Sequence, residues 1–264
     1  MFMPLFYDWS KKSSLLYITM SELAEKKHVR AVMLVLASNE NQIVTNSRRV
    51  WKRYMNLDPK IKVFFVYGEL HTELELYDET SDLIFPQIPE SYPVLIHKTI
   101  EAMKYIHSKY TYDFFIRTNL STFWDFKNLH KHLDILPKDR CYSGDGPLPN
   151  SKDAIYLSGV DTIVTYDMID SLVNNTDKVN YEIVEDAAMG LYFNGVLKVP
   201  MLPNRICFFE DIHTINEGTQ GIILHRIQDA IQSDKDHYRV KSNYNREHND
   251  VFIYTILLKM IYNI

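Results

Sequence analysis

The chain has 264 residues, 46% of them hydrophobic, which is enough for one large α/β domain or two small ones. Its net charge of -5 and pI near 6.1 argue against nonspecific binding to nucleic acid, which requires a basic surface. Two cysteines, Cys141 and Cys207, are too few for a disulfide framework and fit a reducing compartment such as the cytoplasm. We expect buried free thiols, with a single bridge between them as the alternative.

A βαβ unit is predicted near the start of the chain. Residues 31–37 and 62–68 are continuous apolar runs, typical of strands buried on both faces of a mostly parallel sheet. A basic helical pattern covers residues 47–55 between them, and this spacing of strand, helix and strand is that of a βαβ unit. Ser38 and Asn39 follow the first strand. Because ligands of open α/β sheets bind outside the carboxyl ends of the strands, we expect both residues to contact one.

Weaker patterns predict the other elements of the first half. They favour a helix at 13–27, a loop at 73–80, a short strand at 82–85 and a helix over 95–109. The last of these is the most regular, since its apolar residues recur at helical spacing. Lys98 lies within it.

The stretch from 114 to 123 is the one around which we expect the rest of the chain to be organised. It begins as an apolar strand, stops abruptly in small polar residues and becomes aromatic again. Arg117 falls at the predicted strand end, and Asn119, Ser121 and Thr122 fall in the turn that follows. A buried strand that ends in a polar turn is a common ligand site in an open α/β sheet, so these side chains are candidates for binding a polar ligand.

The second half also alternates between helical and extended patterns. Helices are predicted at 129–136, 166–173 and 251–261 and from about 185, strands at 154–159, 162–165 and 199–209, a loop at 141–147, and either a strand or a helix at 222–227. No repeat or linker-like run interrupts the chain, so we expect a single domain over residues 1–264. No apolar run approaches the roughly 20 residues that span a bilayer, and the N-terminus has no signal-peptide pattern.

A basic segment lies near the C-terminus. Alternation places His237, Arg239 and Lys241 on one face of an extended segment. Three groups that are cationic or can be protonated suit a diphosphate. The alternative is a solvated basic edge strand that discourages aggregation.

Four short blocks, taken together and in this order, resemble a known family. They are Glu90-Ser91-Tyr92 with Lys98-Thr99, then Arg117-Thr118, then Tyr156-Leu157-Ser158-Gly159, and finally Glu185-Asp186 with Gly190. They are similar to motifs of inverting GT-A glycosyltransferases of the β-1,3-galactosyltransferase and fringe type, family 31. The resemblance covers roughly residues 31–192, with a looser continuation to 264.

The resemblance implies a fold and a reaction. The fold would be GT-A, a Rossmann-like α/β fold with a mostly parallel central sheet flanked by helices. Its nucleotide-binding half would cover about residues 30–125 and its acceptor half about 126–264. The reaction would be hexosyl transfer, with inversion, from a UDP-linked donor to a hydroxyl of a glycan acceptor.

The resemblance also implies roles for individual residues. Asp186, next to Glu185, would be the general base, and both carboxylates suit the start of a helix because of its dipole. Ser38 and Asn39 would contact the base or ribose of the donor, and Lys98 would belong to the same site. The structural alternatives are an acidic helix start without catalytic use and a solvated helix lysine.

One departure from the family concerns the metal. Asn119-Leu120-Ser121 stands where the family has three aspartates, and Mg²⁺ and Mn²⁺ prefer anionic oxygens. We therefore predict no protein metal site, and either no metal requirement or a weakly bound Mn²⁺ or Mg²⁺ held by the donor diphosphate. His237, which resembles the family's late metal-binding histidine, would act with Arg239, Lys241 and Arg117 on the phosphates, aided by the hydroxyls of Ser121 and Thr122.

Two other functions stay open. One is an inactive GT-A module that binds a nucleotide or a sugar, and the other is a structural or interaction protein. Cellular members of the family are usually anchored in the Golgi membrane, so this chain is expected to be a soluble version or a form without its anchor. Frequent Asn, Ile, Lys and Tyr are typical of AT-rich genomes, including those of large DNA viruses.

Overall fold

The computed structural model describes residues 26–38, 42–69, 82–86, 88–91, 94–149, 155–210, 217–241 and 246–264. Nearly all of the predicted helix at 13–27, the predicted loop at 73–80 and Asn39 lie outside these residues.

The first half of the chain contains the predicted βαβ unit and the central strand. Its elements are β1 (Lys27–Leu36), α1 (Gln42–Tyr54), β2 (Ile61–Glu69), β3 (Asp82–Pro86), α2 (Leu95–Lys109), β4 (Tyr110–Asn119), β5 (Phe123–Trp124) and α3 (Phe126–Ile135). Helix α3 begins after Asp125, whose side chain accepts a hydrogen bond from the backbone N–H of Asn128 and so caps the helix.

The second half contains shorter strands. Its elements are β6 (Tyr142–Gly144), β7 (Leu148–Pro149), β8 (Ile155–Tyr156), β9 (Asp161–Thr165), α4 (Tyr166–Val173), α5 (Glu185–Gly190), β10 (Met201–Pro203), β11 (Ile206–Glu210), α6 (Glu217–Gln232), β12 (His237–Lys241) and α7 (Arg246–Leu257). A 3₁₀ turn lies at Thr176–Lys178, and π-helical segments extend α5 over Leu191–Val196 and α7 over Leu258–Tyr262.

A seven-stranded sheet in the order β10-β6-β9-β4-β1-β2-β3 forms the centre of the fold. Strands β4, β1, β2 and β3 are parallel, while β9 runs antiparallel to both of its neighbours. The apolar runs of β1 and β2 are buried because helices cover both faces of the sheet. The expected α/β class with a mostly parallel, helix-flanked sheet is therefore confirmed.

Each face of the sheet has its own hydrophobic core. Met33 and Val35 of β1 pack on one side, with α1, α3, α6 and α7, which we call the α1 face. Val32 and Leu34 pack on the other side, with α2, α4 and α5, which we call the α2 face. This alternation follows from the two-residue period of a strand, and it decides on which side each polar residue at a strand end lies.

A second, three-stranded sheet in the order β11-β12-β5 lies next to the end of β4. Strand β12 pairs with β11 in parallel and with β5 in antiparallel orientation, and His237 is opposite Trp124. Since β5 follows the turn after β4 directly, this sheet carries His237 to the carboxyl edge of the main sheet on its α1 face.

Some sequence predictions were wrong. Residues 141–147 do not form a loop throughout, because Tyr142–Gly144 pairs with β9 and β10 inside the main sheet. The predicted strand at 154–159 is reduced to Ile155–Tyr156, and the single strand region at 199–209 is two strands in different sheets. A strand of three residues depends on its pairing with neighbouring strands, because its own sequence is too short to show a strand pattern. The ambiguous 222–227 segment is helical, within α6.

Cys141 and Cys207 are both free thiols, as expected; the first is buried and the second half-buried. Within the part of the chain that the structure describes, no helix has both the length and the apolar character needed to cross a membrane.

Candidate functional site

The polar residues singled out by sequence gather at the carboxyl edge of the main sheet. There Leu36 of β1 pairs with Asn119 of β4, and Thr118 of β4 pairs with Asp161 of β9. Ser38 follows β1 at this edge and is half-buried. Two clusters of charged side chains lie below the edge, one on each face of the sheet.

The first cluster, on the α2 face, consists of Glu90, Lys98, Arg117, Glu185 and Asp186; we call it the ion-pair cluster. Arg117 donates from Nε to Glu185 Oε1 at 3.0 Å and from Nη2 to Oε2 at 2.5 Å, a bidentate pair. Both side chains are buried, with 5% and 3% of their surface exposed. Arg117 Nη1 donates to Asn119 Oδ1 at 2.8 Å. Burial raises the pKa of Glu185, and the guanidinium opposes that rise.

Lys98 forms the second buried pair of this cluster. Its Nζ donates to the Ala37 carbonyl at 2.9 Å and to Glu90 Oε1 and Oε2 at 2.9 and 2.6 Å. Glu90 also accepts a hydrogen bond from the backbone N–H of Gly68. Burial lowers the pKa of Lys98, although Glu90 opposes the shift. All three ammonium hydrogens therefore have acceptors, which tie α2 to β1 and β2, so Lys98 is not a solvated helix lysine. Its role in the ligand site stays a prediction.

Asp186, like Glu90, is half-buried. Helix α5 begins at Glu185, as the sequence predicted, and Asp186 Oδ2 accepts a hydrogen bond from the Gly159 N–H at 3.3 Å. A Cβ on Gly159 would collide with the Arg117 guanidinium, and one on Gly190 would collide with Tyr156. Two glycines thus allow α5 and the 157–160 turn to approach each other and the end of β4.

The four sequence blocks are consequently in mutual contact. Glu90 pairs with Lys98 of α2, α2 packs against α5, and Glu185 of α5 pairs with Arg117. Arg117 packs on Gly159, whose N–H donates to Asp186. Residues almost 100 positions apart in sequence therefore lie together on the α2 face of the sheet.

The second cluster, on the α1 face, consists of His132, Asp161, Asp236 and His237; we call it the histidine cluster. His237 Nε2 lies 2.9 Å from Asp161 Oδ2, and its Nδ1 lies 2.6 Å from Asp236 Oδ1. His132 Nδ1 lies 2.6 Å from Asp236 Oδ2. The indole of Trp124 stacks on the His237 ring, with centroids 4.2 Å apart. His237, Asp161 and Asp236 have no exposed surface.

This arrangement favours the protonated form of His237. Burial by itself lowers the pKa of His237, but the carboxylates of Asp236 and Asp161 outweigh burial and raise the pKa to about 9. Burial would raise the pKa of Asp236, yet His237 and His132 hold it well below the usual range of a carboxyl. Because both ring nitrogens of His237 face carboxylates, neither is directed at a phosphate in this structure.

The other two basic residues of β12 lie nearer the surface. Lys241 is exposed, and its ammonium lies 5.2 Å from the centre of the Phe208 ring. Arg239 is half-buried. Burial lowers the pKa of Arg239, and Tyr254 and Asp250 of α7 oppose the shift.

The turn after β4 is tightly hydrogen-bonded. Trp51 Nε1 donates to the Leu120 carbonyl at 2.9 Å, and the Tyr254 hydroxyl donates to the Ser121 carbonyl at 2.6 Å. The hydroxyl of Thr122, which is fully buried, donates to the Val160 carbonyl at 3.2 Å. Thr122 therefore joins the turn after β4 to the 157–160 turn, and its hydroxyl is directed to the Val160 carbonyl.

The residues of this turn do not fit a divalent cation well. Asn119, Leu120 and Ser121 offer neutral oxygens only, and the Asn119 side-chain oxygen already accepts from Arg117. Over the ranges that the structure describes, no group of three or more His, Cys, Asp and Glu side chains is arranged to hold a metal ion.

The structure brings the predicted site residues together in two groups instead of one. Arg117, Lys98, Glu185 and Asp186 lie on the α2 face, while His237 lies on the α1 face. The division follows from β4, where Arg117 is directed to Glu185 and its neighbour Thr118 accepts a hydrogen bond from Trp124 Nε1 at 3.1 Å. Both groups have contacts near the edge, at Asn119 and next to the 157–160 turn.

Sequence reasoning missed three polar residues at this edge. Asp161 accepts hydrogen bonds from the Asp145 N–H at 3.0 Å and from the side-chain amide of Asn204, in addition to its contact with His237. Asp145 follows β6, and Asn204 follows β10. An aspartate directly after a strand was the available signal for Asp145, but it was hidden because 141–147 was predicted to be a loop.

Comparison with known proteins gives matches by structure only. No protein-family profile and no curated protein sequence matches the chain. The chain superposes on a glycosyltransferase involved in the glycosylation of the major capsid of PBCV-1 with a TM-score of 0.50 and 8% identity, covering 86% of this chain and 99% of that one.

Two further glycosyltransferase structures are more distant. A mannosyltransferase from Pyrobaculum calidifontis, in complex with GDP-mannose and Mn²⁺, gives a TM-score of 0.46 with 10% identity over 90% of this chain and 73% of that one. The galactosyltransferase LgtC, in complex with donor and acceptor sugar analogues, gives 0.41 with 8% identity over 87% and 96%. At such identities the likeness concerns the fold alone, and the assignment to family 31 stays a prediction. The chain has the GT-A fold of glycosyltransferases, as the likeness to the capsid glycosyltransferase demonstrates.

Proposed function

We propose that the protein is a glycosyltransferase that moves a hexose from a UDP-linked donor to a hydroxyl of a glycan acceptor, with inversion at the anomeric carbon. The observation that carries the proposal is the position of Asp186. It is a half-buried carboxylate at the start of α5, at the carboxyl edge of a GT-A sheet.

The neighbours of Asp186 support its role as the general base. Inverting transfer in one step requires a carboxylate that takes the proton of the acceptor hydroxyl as its oxygen attacks the anomeric carbon. Glu185 is buried and paired with Arg117, so it is not accessible to an acceptor. Asp186 is oriented by the Gly159 N–H, which donates to its Oδ2 at the start of α5. The two adjacent acids thus have different roles: Glu185 holds Arg117, and Asp186 accepts the proton.

The donor would lie across the edge towards the α1 face. Ser38 and Asn39, after β1, would contact the base or ribose, as ligands do at strand ends in such folds. Arg239 and Lys241 would hydrogen-bond to the diphosphate, because they are half-buried and exposed, whereas Lys98, Arg117 and His237 are buried. Ser121, half-buried in the turn, would add a hydroxyl.

The cations of β12 would also replace a protein-bound metal. Charge-assisted hydrogen bonds from Arg and Lys can stabilise the departing diphosphate without an ion. Any Mn²⁺ or Mg²⁺ would be held mainly by the diphosphate, since the turn of Asn119, Leu120 and Ser121 has no anionic oxygen.

The test is hydrolysis and transfer with a panel of sugar nucleotides, UDP-glucose, UDP-galactose, UDP-N-acetylglucosamine and GDP-mannose. We expect slow release of the sugar to water from one UDP-linked donor, and Asp186→Asn to lower turnover by about 10²–10⁴-fold while donor affinity changes little. Asp139→Asn, at an exposed position, is the matched control, and it should remain active in both the hydrolysis and the transfer assay.

Three outcomes count against the proposal. Near-normal turnover in Asp186→Asn would remove Asp186 as the base. Tight nucleotide binding with no hydrolysis or transfer of any donor would favour an inactive GT-A module. Absence of a thermal shift with every nucleotide would favour a structural or interaction protein.

A further inference from the structure

The 157–160 turn, which joins β8 to β9, is held by an aspartate on each side. The Ser158 N–H donates to the Asp145 carbonyl at 2.6 Å, and the Gly159 N–H donates to Asp186 Oδ2 at 3.3 Å. Asp145 and Asp186 therefore flank the same short turn at the carboxyl edge of the sheet. Only Asp186 has a role in the reaction as proposed so far.

The backbone fixes the position of Asp145. Its N–H donates to Asp161 Oδ1 at 3.0 Å, and its carbonyl accepts from Ser158. Gly146 follows with a φ of +149°, and a Cβ there would lie 3.1 Å from the Tyr156 carbonyl oxygen. The Asp145 side chain is half-buried at this fixed position.

The charged side chains near Asp145 limit the kind of ligand that its carboxylate can bind. Burial raises the pKa of Asp145 and so does Asp161, while His237, Lys241 and Arg239 oppose the rise. Asp145 also lies beside the strand that carries both cations, because its N–H donates to Asp161 Oδ1 and the other oxygen of Asp161 contacts His237 of β12. Arg239 and Lys241, which would bind the diphosphate, follow His237 on that strand.

A carboxylate repels a diphosphate, and no group of three or more His, Cys, Asp or Glu side chains among the described residues is arranged to hold a metal ion, so we look for a neutral ligand that donates hydrogen bonds. A sugar nucleotide has two such groups joined to its diphosphate, the ribose and the transferred sugar. The ribose would lie near Ser38 after β1, and β9 and β4 separate β1 from β6, which leaves the transferred sugar for Asp145.

We infer that Asp145 binds the transferred sugar, its two carboxylate oxygens accepting hydrogen bonds from sugar hydroxyls. The inference rests on the proposed function and assigns a residue to the recognition of the donor sugar. An ionised carboxylate only accepts hydrogen bonds, and its two oxygens can serve two adjacent hydroxyls. A site built in this way discriminates against sugars in which a hydroxyl is missing or inverted, because the carboxylate then lacks its partner.

Calorimetric titration of the full chain tests this inference with two probes, UDP and the UDP-sugar that the wild type binds most tightly among UDP-glucose, UDP-galactose and UDP-N-acetylglucosamine. We expect Asp145→Ala to weaken the UDP-sugar about 10- to 100-fold, the usual effect of losing hydrogen bonds to a charged group, and to leave UDP unchanged. Asp145→Asn, which keeps one acceptor oxygen, should have a smaller effect of the same kind. Both variants keep the backbone hydrogen bonds of residue 145, and Asp139→Asn is the matched control.

The outcomes separate this inference from the proposed function. Equal weakening of UDP and UDP-sugar, no weakening of either, or a loss of turnover with unchanged binding of the UDP-sugar would each overturn the role of Asp145 and leave the glycosyltransferase proposal standing. If the wild type binds none of these nucleotides, both the proposed function and the inference are wrong.

Discussion

The ion-pair cluster and the histidine cluster lie below the same sheet edge but on opposite faces, and they are built from different chemistry. The first joins Lys98 to Glu90 and Arg117 to Glu185, two pairs in which each cation has its own carboxylate. The second joins His237 to two carboxylates, one of which it shares with His132. In the ion-pair cluster the two pairs are thus complete in themselves, whereas the charge balance of the histidine cluster depends on the proton that His237 holds.

This difference identifies the groups that a ligand can reach. Basic side chains buried in either cluster cannot turn to a phosphate without leaving a carboxylate unpaired in the interior, which is costly. The residues at the margin of each cluster, Asp186 on one side and Asp145, Arg239 and Lys241 on the other, are half-buried or exposed. We therefore expect the buried members to control stability and the marginal ones to control binding and catalysis.

The largest expected effect on stability comes from breaking the ion-pair cluster. Arg117→Met leaves Glu185 buried without its partner, which should lower the free energy of unfolding by about 3–5 kcal/mol. The double variant Arg117→Met/Glu185→Met should recover much of that loss, because no charge is then left unpaired. Denaturant unfolding measures both, with Arg53→Met at an exposed position of α1 as the control. A single-variant loss no larger than that of the control would mean that the pair is not structural.

The contribution of the histidine cluster to the unfolding free energy should depend on pH. The folded-state pKa of His237, about 9, lies above its ordinary value of 6.5, so its stabilisation is fully present below about pH 6.5 and is lost as the pH rises through 9. Wild-type unfolding free energy should fall by about 3 kcal/mol across that window. The fall should be absent in His237→Gln and retained in His225→Gln, an exposed histidine of α6. An equal fall in all three proteins would locate the titrating group elsewhere.

A smaller effect is expected from changing Lys241, at the margin of the histidine cluster, and it concerns the affinity for UDP. Lys241→Ala removes one charge-assisted hydrogen bond to the diphosphate and should weaken UDP about tenfold. The unfolding free energy should change by no more than about 0.5 kcal/mol, because the side chain is exposed. Calorimetric titration with UDP compares it with Lys127→Ala, at an exposed position of α3. If the two variants bind UDP alike, Lys241 does not contact the diphosphate.

The smallest effect is expected from removing metal. If the β12 cations stabilise the leaving diphosphate, a chelator should leave most of the transferase activity in place. Added Mn²⁺ or Mg²⁺ should raise it only modestly, since the turn after β4 offers the ion neutral oxygens. Complete loss of activity in chelator, restored only by a divalent cation, would mean a metal site that includes residues outside those described.

The sequence by itself determined the elements whose signal is local. The apolar runs of β1 and β2, the helical spacing of α2 and the acidic start of α5 each depend on neighbouring residues, and each was predicted close to its observed position. The same is true of α4, predicted at 166–173 and observed at Tyr166–Val173. Asp186 at a helix start could be named because position within a helix is a local property.

Only the tertiary structure decided which charged groups are paired and which are accessible. Arg117 and Glu185 are 68 positions apart, and His237 and Asp161 are 76 apart, so no local pattern joins them. The face on which each side chain lies depends on sheet register, which placed Arg117 and His237 on opposite sides. Strand β6 exists because β9 and β10 supply its hydrogen bonds, and it carries Asp145 to the edge. Burial and charge pairing are properties of the folded chain, which is why the sequence indicated the candidate residues but not their partners.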